Sequence, residues 1–130
     1  MPIQPPTKVY LDKSSVHGWG VFAKSKIEKD EIIEECVIID MGIGKSVSPI
    51  LIDYRFNWPQ FTEDYIQVVA TGFSMMYNHN SEANANWRSN LENKTFEFYA
   101  TKNIEPGEEV FVWYGDVSYW NDGRTHTNVI

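Results

Sequence analysis

Short runs of β-branched and aromatic residues, frequent Gly and Pro breaks between them, and the lack of any long amphipathic helical period predict a β-dominated single domain. The chain has 130 residues, 42% of them hydrophobic and 15% aromatic. That length and composition support one domain with a buried core.

Residues 1–7 hold three prolines and read as a flexible N-terminal arm. Val9 to Leu11 is a short strand, followed by the polar turn Lys13-Ser14-Ser15. In His17-Gly18-Trp19-Gly20-Val21-Phe22-Ala23, two glycines flank an aromatic and lead into an apolar strand. Glycines so placed allow a tight turn or let the backbone approach a ligand closely. Lys29-Asp30 makes a turn before Glu31 to Asp40, whose Ile-Ile and Cys-Val-Ile-Ile runs suit a buried strand. Cys36 inside it reads as a small buried hydrophobe, since no His or Asn is near in sequence and the local charge is negative.

Gly42-Ile43-Gly44 and Pro49 mark a loop, after which Tyr54, Phe56 and Trp58 alternate along one strand face. Leftover aromatic surface of this kind tends to form interfaces, so this face is the candidate for a symmetric homodimer. Tyr65 to Ala70 is a further strand, and Thr71 to Met76 is expected to turn helically into an Asn-rich stretch. Trp87 to Leu91 and Thr95 to Thr101 flank Glu92-Asn93-Lys94 as a β-hairpin, with Phe96, Phe98 and Ala100 on one face. Glu105-Pro106-Gly107-Glu108 is a turn, and Glu109 to Trp113 is the strand after it. The expected domain runs over residues 8–120, with a polar tail at 121–130.

With 18 acidic and 11 basic residues, the formal net charge is -7. That sign opposes a phosphate backbone, so no direct nucleic-acid partner is expected, and it favours a basic protein or peptide. The single cysteine excludes an intramolecular disulfide and a thiolate zinc cage, and His17, His79 and His126 lack metal-ligand spacing, so no metal is implied. No apolar run approaches the roughly 20 residues of a membrane span, and the N-terminus has no charged region followed by an apolar one. A soluble, intracellular protein without a membrane partner is expected, with nothing to separate nucleus, host cell and bacterial cytoplasm.

Between Met76 and Ala85, three Asn and one His fall within ten mostly uncharged residues. Such a run satisfies many backbone groups or holds a polar ligand, the plainer alternative being an exposed turn. Three separated stretches then coincide in order and spacing with one family. Gly18-x-Gly20-Val21-Phe22-Ala23, Asn78-His79-x-x-x-x-Asn84 and Gly107-Glu108-Glu109-Val110-x-x-x-Tyr114-Gly115 resemble the three signature motifs of SET-domain protein lysine methyltransferases. The resemblance covers about Lys8 to Trp120 and is nearest to the small stand-alone SET proteins of viruses and bacteria, which share Asp53-Tyr54-x-Phe56 and the Tyr119-Trp120 ending.

The resemblance implies a SET-domain fold of several small sheets, in which the Asn-His segment and the segment ending in Tyr114 cross as a C-terminal pseudoknot. Buried Asn and His side chains would satisfy the backbone groups that such a crossing leaves without a ladder. It implies S-adenosylmethionine as cofactor, held by Gly18, Trp19, Gly20, Asn78 and His79, with Trp120 on the adenine. Tyr54 and Tyr119 would line the substrate channel, and Tyr114 would be the catalytic residue. A basic, histone-like peptide is the implied substrate; the rival is a non-catalytic SET-fold module that binds a peptide or another subunit. Asn80 stands where Ser is usual and Ala83 where Pro is usual, which removes a hydroxyl and a fixed φ. Val112 stands two residues before Tyr114, where many relatives carry Phe or Tyr, so the number of methyls added does not carry over.

Overall fold

The computed structural model describes residues 2–41, 56–59 and 66–113. Residues 2–6 have no regular structure, and five short strands follow before the Asn-rich stretch: β1 (Val9–Lys13), β2 (Trp19–Ala23), β3 (Ile32–Asp40), β4 (Phe56–Trp58) and β5 (Ile66–Ala70). Four more complete the described chain: β6 (Asn78–His79), β7 (Ala85–Asn90), β8 (Thr95–Ala100) and β9 (Glu109–Val112). There is no helix among the described residues, and none is therefore long and apolar enough to cross a membrane.

The strands form two sheets, in the orders β1-β2-β9-β6 and β4-β5-β3-β8-β7. The expected hairpin is seen as β7 and β8, with Trp87 opposite Phe98 and Asn90 opposite Thr95. Phe96, Phe98 and Ala100 are all buried on one face, as the alternation predicts. The Glu105-to-Glu108 turn closes with the Glu108 N–H donating to the Glu105 carbonyl at 3.1 Å, and Gly107 takes the positive φ of 88° that favours glycine. An isolated antiparallel bridge between Ile27 and Ile104, both fully buried, ties the β2–β3 connection to the β8–β9 connection. Val21, Ala23, Val110 and Val112 from the first sheet and Val68, Phe96 and Phe98 from the second belong to one core.

One expectation changes. Thr71 to Met76 is a run of turns rather than a helical turn, ended by the Met76 N–H donating to the Phe73 carbonyl at 2.8 Å. On β4, Phe56 lies edge-on to Trp87 with ring centroids 5.3 Å apart, and the Trp58 indole donates to the Thr95 carbonyl at 3.0 Å. These half-buried rings pack against the core. Tyr54, the third aromatic of that face, lies outside the described residues.

Candidate functional site

β9 is held along both edges, and the Asn-rich stretch supplies one of them. On one side it pairs antiparallel with β2, Val21 opposite Val110. On the other it pairs in parallel with β6, Asn78 opposite Phe111 and His79 opposite Val112. Beyond β6 the chain bends back, and Asn84 takes over the role of a strand. Its Nδ2 donates to the Glu109 carbonyl at 2.9 Å while its Oδ1 accepts from the Phe111 N–H at 2.8 Å. One side-chain amide thus satisfies a donor and an acceptor that no ladder reaches. The crossing expected of the Asn-His segment and the segment leading to Tyr114 has this form in the described residues.

Asn78 is 6% exposed, and its Nδ2 faces three acceptors: the His17 carbonyl at 3.0 Å, the Trp19 carbonyl at 3.3 Å and Glu109 Oε2 at 2.9 Å. Because all three accept, the orientation of this amide is fixed: nitrogen toward them, oxygen away. Among the described residues no donor reaches Asn78 Oδ1. A buried acceptor is thereby presented beside the backbone of the 17–20 loop.

That loop is shaped by its glycines for two different reasons. Gly18 has a φ of 49° and open space around it, so conformation selects it. Gly20 is selected by space: a Cβ there would overlap Glu109 Oε2 and stand 3.1 Å from Asn78 Nδ2. Ser14 closes the loop, its N–H donating to the Gly18 carbonyl at 2.7 Å and its hydroxyl to Glu109 Oε1 at 2.8 Å. Trp19 between the glycines is 54% exposed, so its carbonyl rather than its ring is built into the crossing.

Beneath the site lies a buried carboxyl. Glu34 is 4% exposed, and its Oε1 accepts from the Tyr77 hydroxyl at 2.6 Å while its Oε2 accepts from the Phe73 N–H at 3.2 Å. It therefore staples both ends of the turn that delivers Asn78 and His79. Burial pushes the Glu34 carboxyl above its ordinary 4.5, and the Tyr77 hydroxyl, the Phe73 amide and the Cys36 thiol pull it partly back. Burial next to Glu34 also pushes the Cys36 thiol far up, which bars it from nucleophilic work, and holds Tyr77 protonated as the donor.

A carboxyl raised in the folded state binds its proton more tightly there than in the unfolded chain. Its share of stability is full below the unfolded value and is lost as pH rises through the folded one. The unfolding free energy of the wild type minus that of Glu34→Gln is accordingly expected to fall as pH rises above about 4.5. Urea titrations at a series of pH values check this; parallel curves for the two proteins would rule the effect out.

Of the residues expected at the site, Gly18, Trp19, Gly20, Asn78 and His79 are brought together, with His79 buried in β6. Tyr54, Tyr114, Tyr119 and Trp120 lie outside the described residues. Sequence reasoning missed Ser14, Glu109, Glu34 and Tyr77. The one signal for Glu109 was its alternation with the apolar Val110 and Val112, which turns it toward Gly20. The Asn80 departure proves well accommodated: its Oδ1 accepts from the Glu82 N–H at 2.8 Å and its own N–H donates to the Val112 carbonyl at 3.1 Å.

Comparison with known proteins agrees with this geometry. Residues 18–115 match the SET domain family. A Schizosaccharomyces pombe protein, the H3 lysine-37-specific histone-lysine N-methyltransferase, is 26% identical over 109 residues, which is 81% of this chain and 71% of that one. Among solved structures, a Plasmodium falciparum candidate histone methyltransferase superposes with a TM-score of 0.73 at 28% identity, over 92% of this chain and 100% of the other. The structure of ctPRC2 bound to a trimethylated H3 lysine-27 ligand superposes with a TM-score of 0.63 at 26% identity, over 87% of this chain but 15% of that one. The match spans all three motifs and the crossing that Asn78 and Asn84 build, so this chain belongs to the SET-domain family of protein lysine methyltransferases.

Proposed function

We propose that this SET domain transfers a methyl group from S-adenosylmethionine to a lysine side chain of a basic, histone-like protein. The observation that carries the reading is the Asn78 amide, locked by three acceptors so that its buried oxygen is turned away from them beside the 17–20 loop. An acceptor so placed fits the ammonium of an amino-acid ligand, and the nearby Glu109 carboxylate reinforces the preference for a cation. When bound, S-adenosylmethionine supplies an electrophilic methyl carbon on a sulfonium. Gly18 and Gly20 let the loop backbone come close, and Trp120 is assigned to the adenine face.

The chain's own work on the lysine is alignment and charge control. A lysine amine has an ordinary pKa near 10.4, so reaching its neutral form at neutral pH costs roughly 4 kcal/mol. Tyr54, Tyr114 and Tyr119 are assigned to a narrow aromatic channel that strips water from the ammonium and so lowers that cost. The net charge of -7 steers a basic substrate toward the protein, and the histone-specific relatives support the substrate class.

Tritium transfer from labelled S-adenosylmethionine to mixed histones tests the proposal. Label above a no-enzyme blank is expected; folded protein that transfers none, to histones or to a cell lysate, would instead favour a peptide-binding module with this fold. Mass spectrometry of labelled products then identifies the lysine and the number of methyls.

A further inference from the structure

Glu109 is tied to three other elements at once. Its Oε1 accepts from the Ser14 hydroxyl at 2.8 Å, and its Oε2 accepts from the same hydroxyl at 3.0 Å and from Asn78 Nδ2 at 2.9 Å. The carboxylate also lies against the bare Cα of Gly20, where any side chain would displace it. Ser14 itself is fixed, since its hydroxyl accepts the Val16 N–H at 3.0 Å. Among the described residues no Lys, Arg or His forms an ion pair with Glu109, so neutral donors alone hold it. A carboxylate used only for solubility would not be enclosed in this way.

The consequence concerns Asn78. Rotating its amide by half a turn would set Oδ1 against Glu109 Oε2 and against two backbone carbonyls, four acceptors with no proton among them. The carboxylate makes that flip the most unfavourable, because it accepts more strongly than a neutral carbonyl. We infer that Glu109 is a positioning residue for the cofactor: together with Ser14 and Gly20 it locks the Asn78 amide with its oxygen turned away from all three acceptors. This rests on the cofactor reading above. It goes further in dividing the work between Asn78, which touches the ligand, and Glu109, which sets how Asn78 is presented.

The division is testable because Gln and Ala at this position separate orientation from charge. Gln retains a carbonyl for Asn78 and turns its amide nitrogen to the Ser14 hydroxyl, which accepts as readily as it donates. Ala removes the carboxylate and leaves the Asn78 amide held by the two backbone carbonyls alone. Calorimetric titration of S-adenosylmethionine into the intact protein is expected to show affinity falling about tenfold or more in Glu109→Ala, the loss expected when a buried donor is left without its charged acceptor. Glu109→Gln should recover a large part of it. Both variants should raise KM for the cofactor while leaving kcat and the KM for peptide nearly unchanged, a split that general loosening of the fold would not produce. Should Glu109→Ala fail to fold, Ser14→Ala reads the same lock from its other end and is expected to weaken cofactor binding in a protein of wild-type thermal midpoint. Equal affinity in folded Glu109→Ala and wild type, or in Ser14→Ala and wild type where only that variant folds, overturns the positioning role alone. Wild-type protein that binds no S-adenosylmethionine overturns the cofactor reading and this inference with it.

Discussion

Replacing Tyr114 with Phe is expected to lower turnover by about 10² to 10³ while leaving the fold and cofactor affinity close to wild type. In the proposed role the substitution retains the aromatic ring and removes only the hydroxyl assigned to orienting the amine. A phenol with an ordinary pKa near 10 is a poor general base at neutral pH, so the loss is attributed to orientation and electrostatics rather than to proton abstraction. Single-turnover kinetics with saturating cofactor checks the effect. A variant with near-normal kcat would take Tyr114 out of the catalytic role.

Truncating Phe98 to Ala should cost about 3 to 5 kcal/mol of stability. Phe98 is fully buried and stacks on Tyr77 with ring centroids 4.6 Å apart at an interplanar angle of 14°. Trp87 tilts against it at 5.9 Å and Phe56 meets it edge-on at 6.3 Å. The cavity would open directly under Tyr77, whose neighbours in sequence are Met76 and Asn78. A fall of roughly 10 °C or more in thermal midpoint is expected, with cofactor affinity weakened in whatever fraction stays folded. A shift of only a few degrees would mean that the surrounding rings collapse into the space.

Phe98 also shows which parts of the molecule were legible beforehand. Its burial follows from strand periodicity, as does the hairpin that holds it, because both depend on residues close in sequence. β6 could not be read that way. It is two residues long and gains its partner from β9, more than thirty positions on, in a parallel pairing that no local pattern encodes. Its residues were found through a motif spacing, and only the structure shows why Asn84 is Asn: an amide alone supplies a donor to the Glu109 carbonyl and an acceptor to the Phe111 N–H. Glu34 was hidden for a related reason. In the run Ile32 to Asp40 two adjacent acids suggest a solvated patch, whereas the bulge between Ile32 and Glu34 turns one of them inward to Tyr77 and the turn at Gly72.

The placement of β9 has a bearing on how the molecule comes into being. Its antiparallel partner β2 lies close to ninety positions earlier and its parallel partner β6 more than thirty, so both edges must wait for a late segment of the chain. Contacts of such separation carry a loop-closure cost and form slowly, while the β7–β8 hairpin and the β1–β2 pair are local and form early. During synthesis the 17–20 loop, Ser14 and Asn78 would leave the ribosome with no Glu109 to bind. The lock on Asn78 therefore waits for β9, and a chaperone or protease that samples the chain before β9 inserts meets Asn78 without its carboxylate partner.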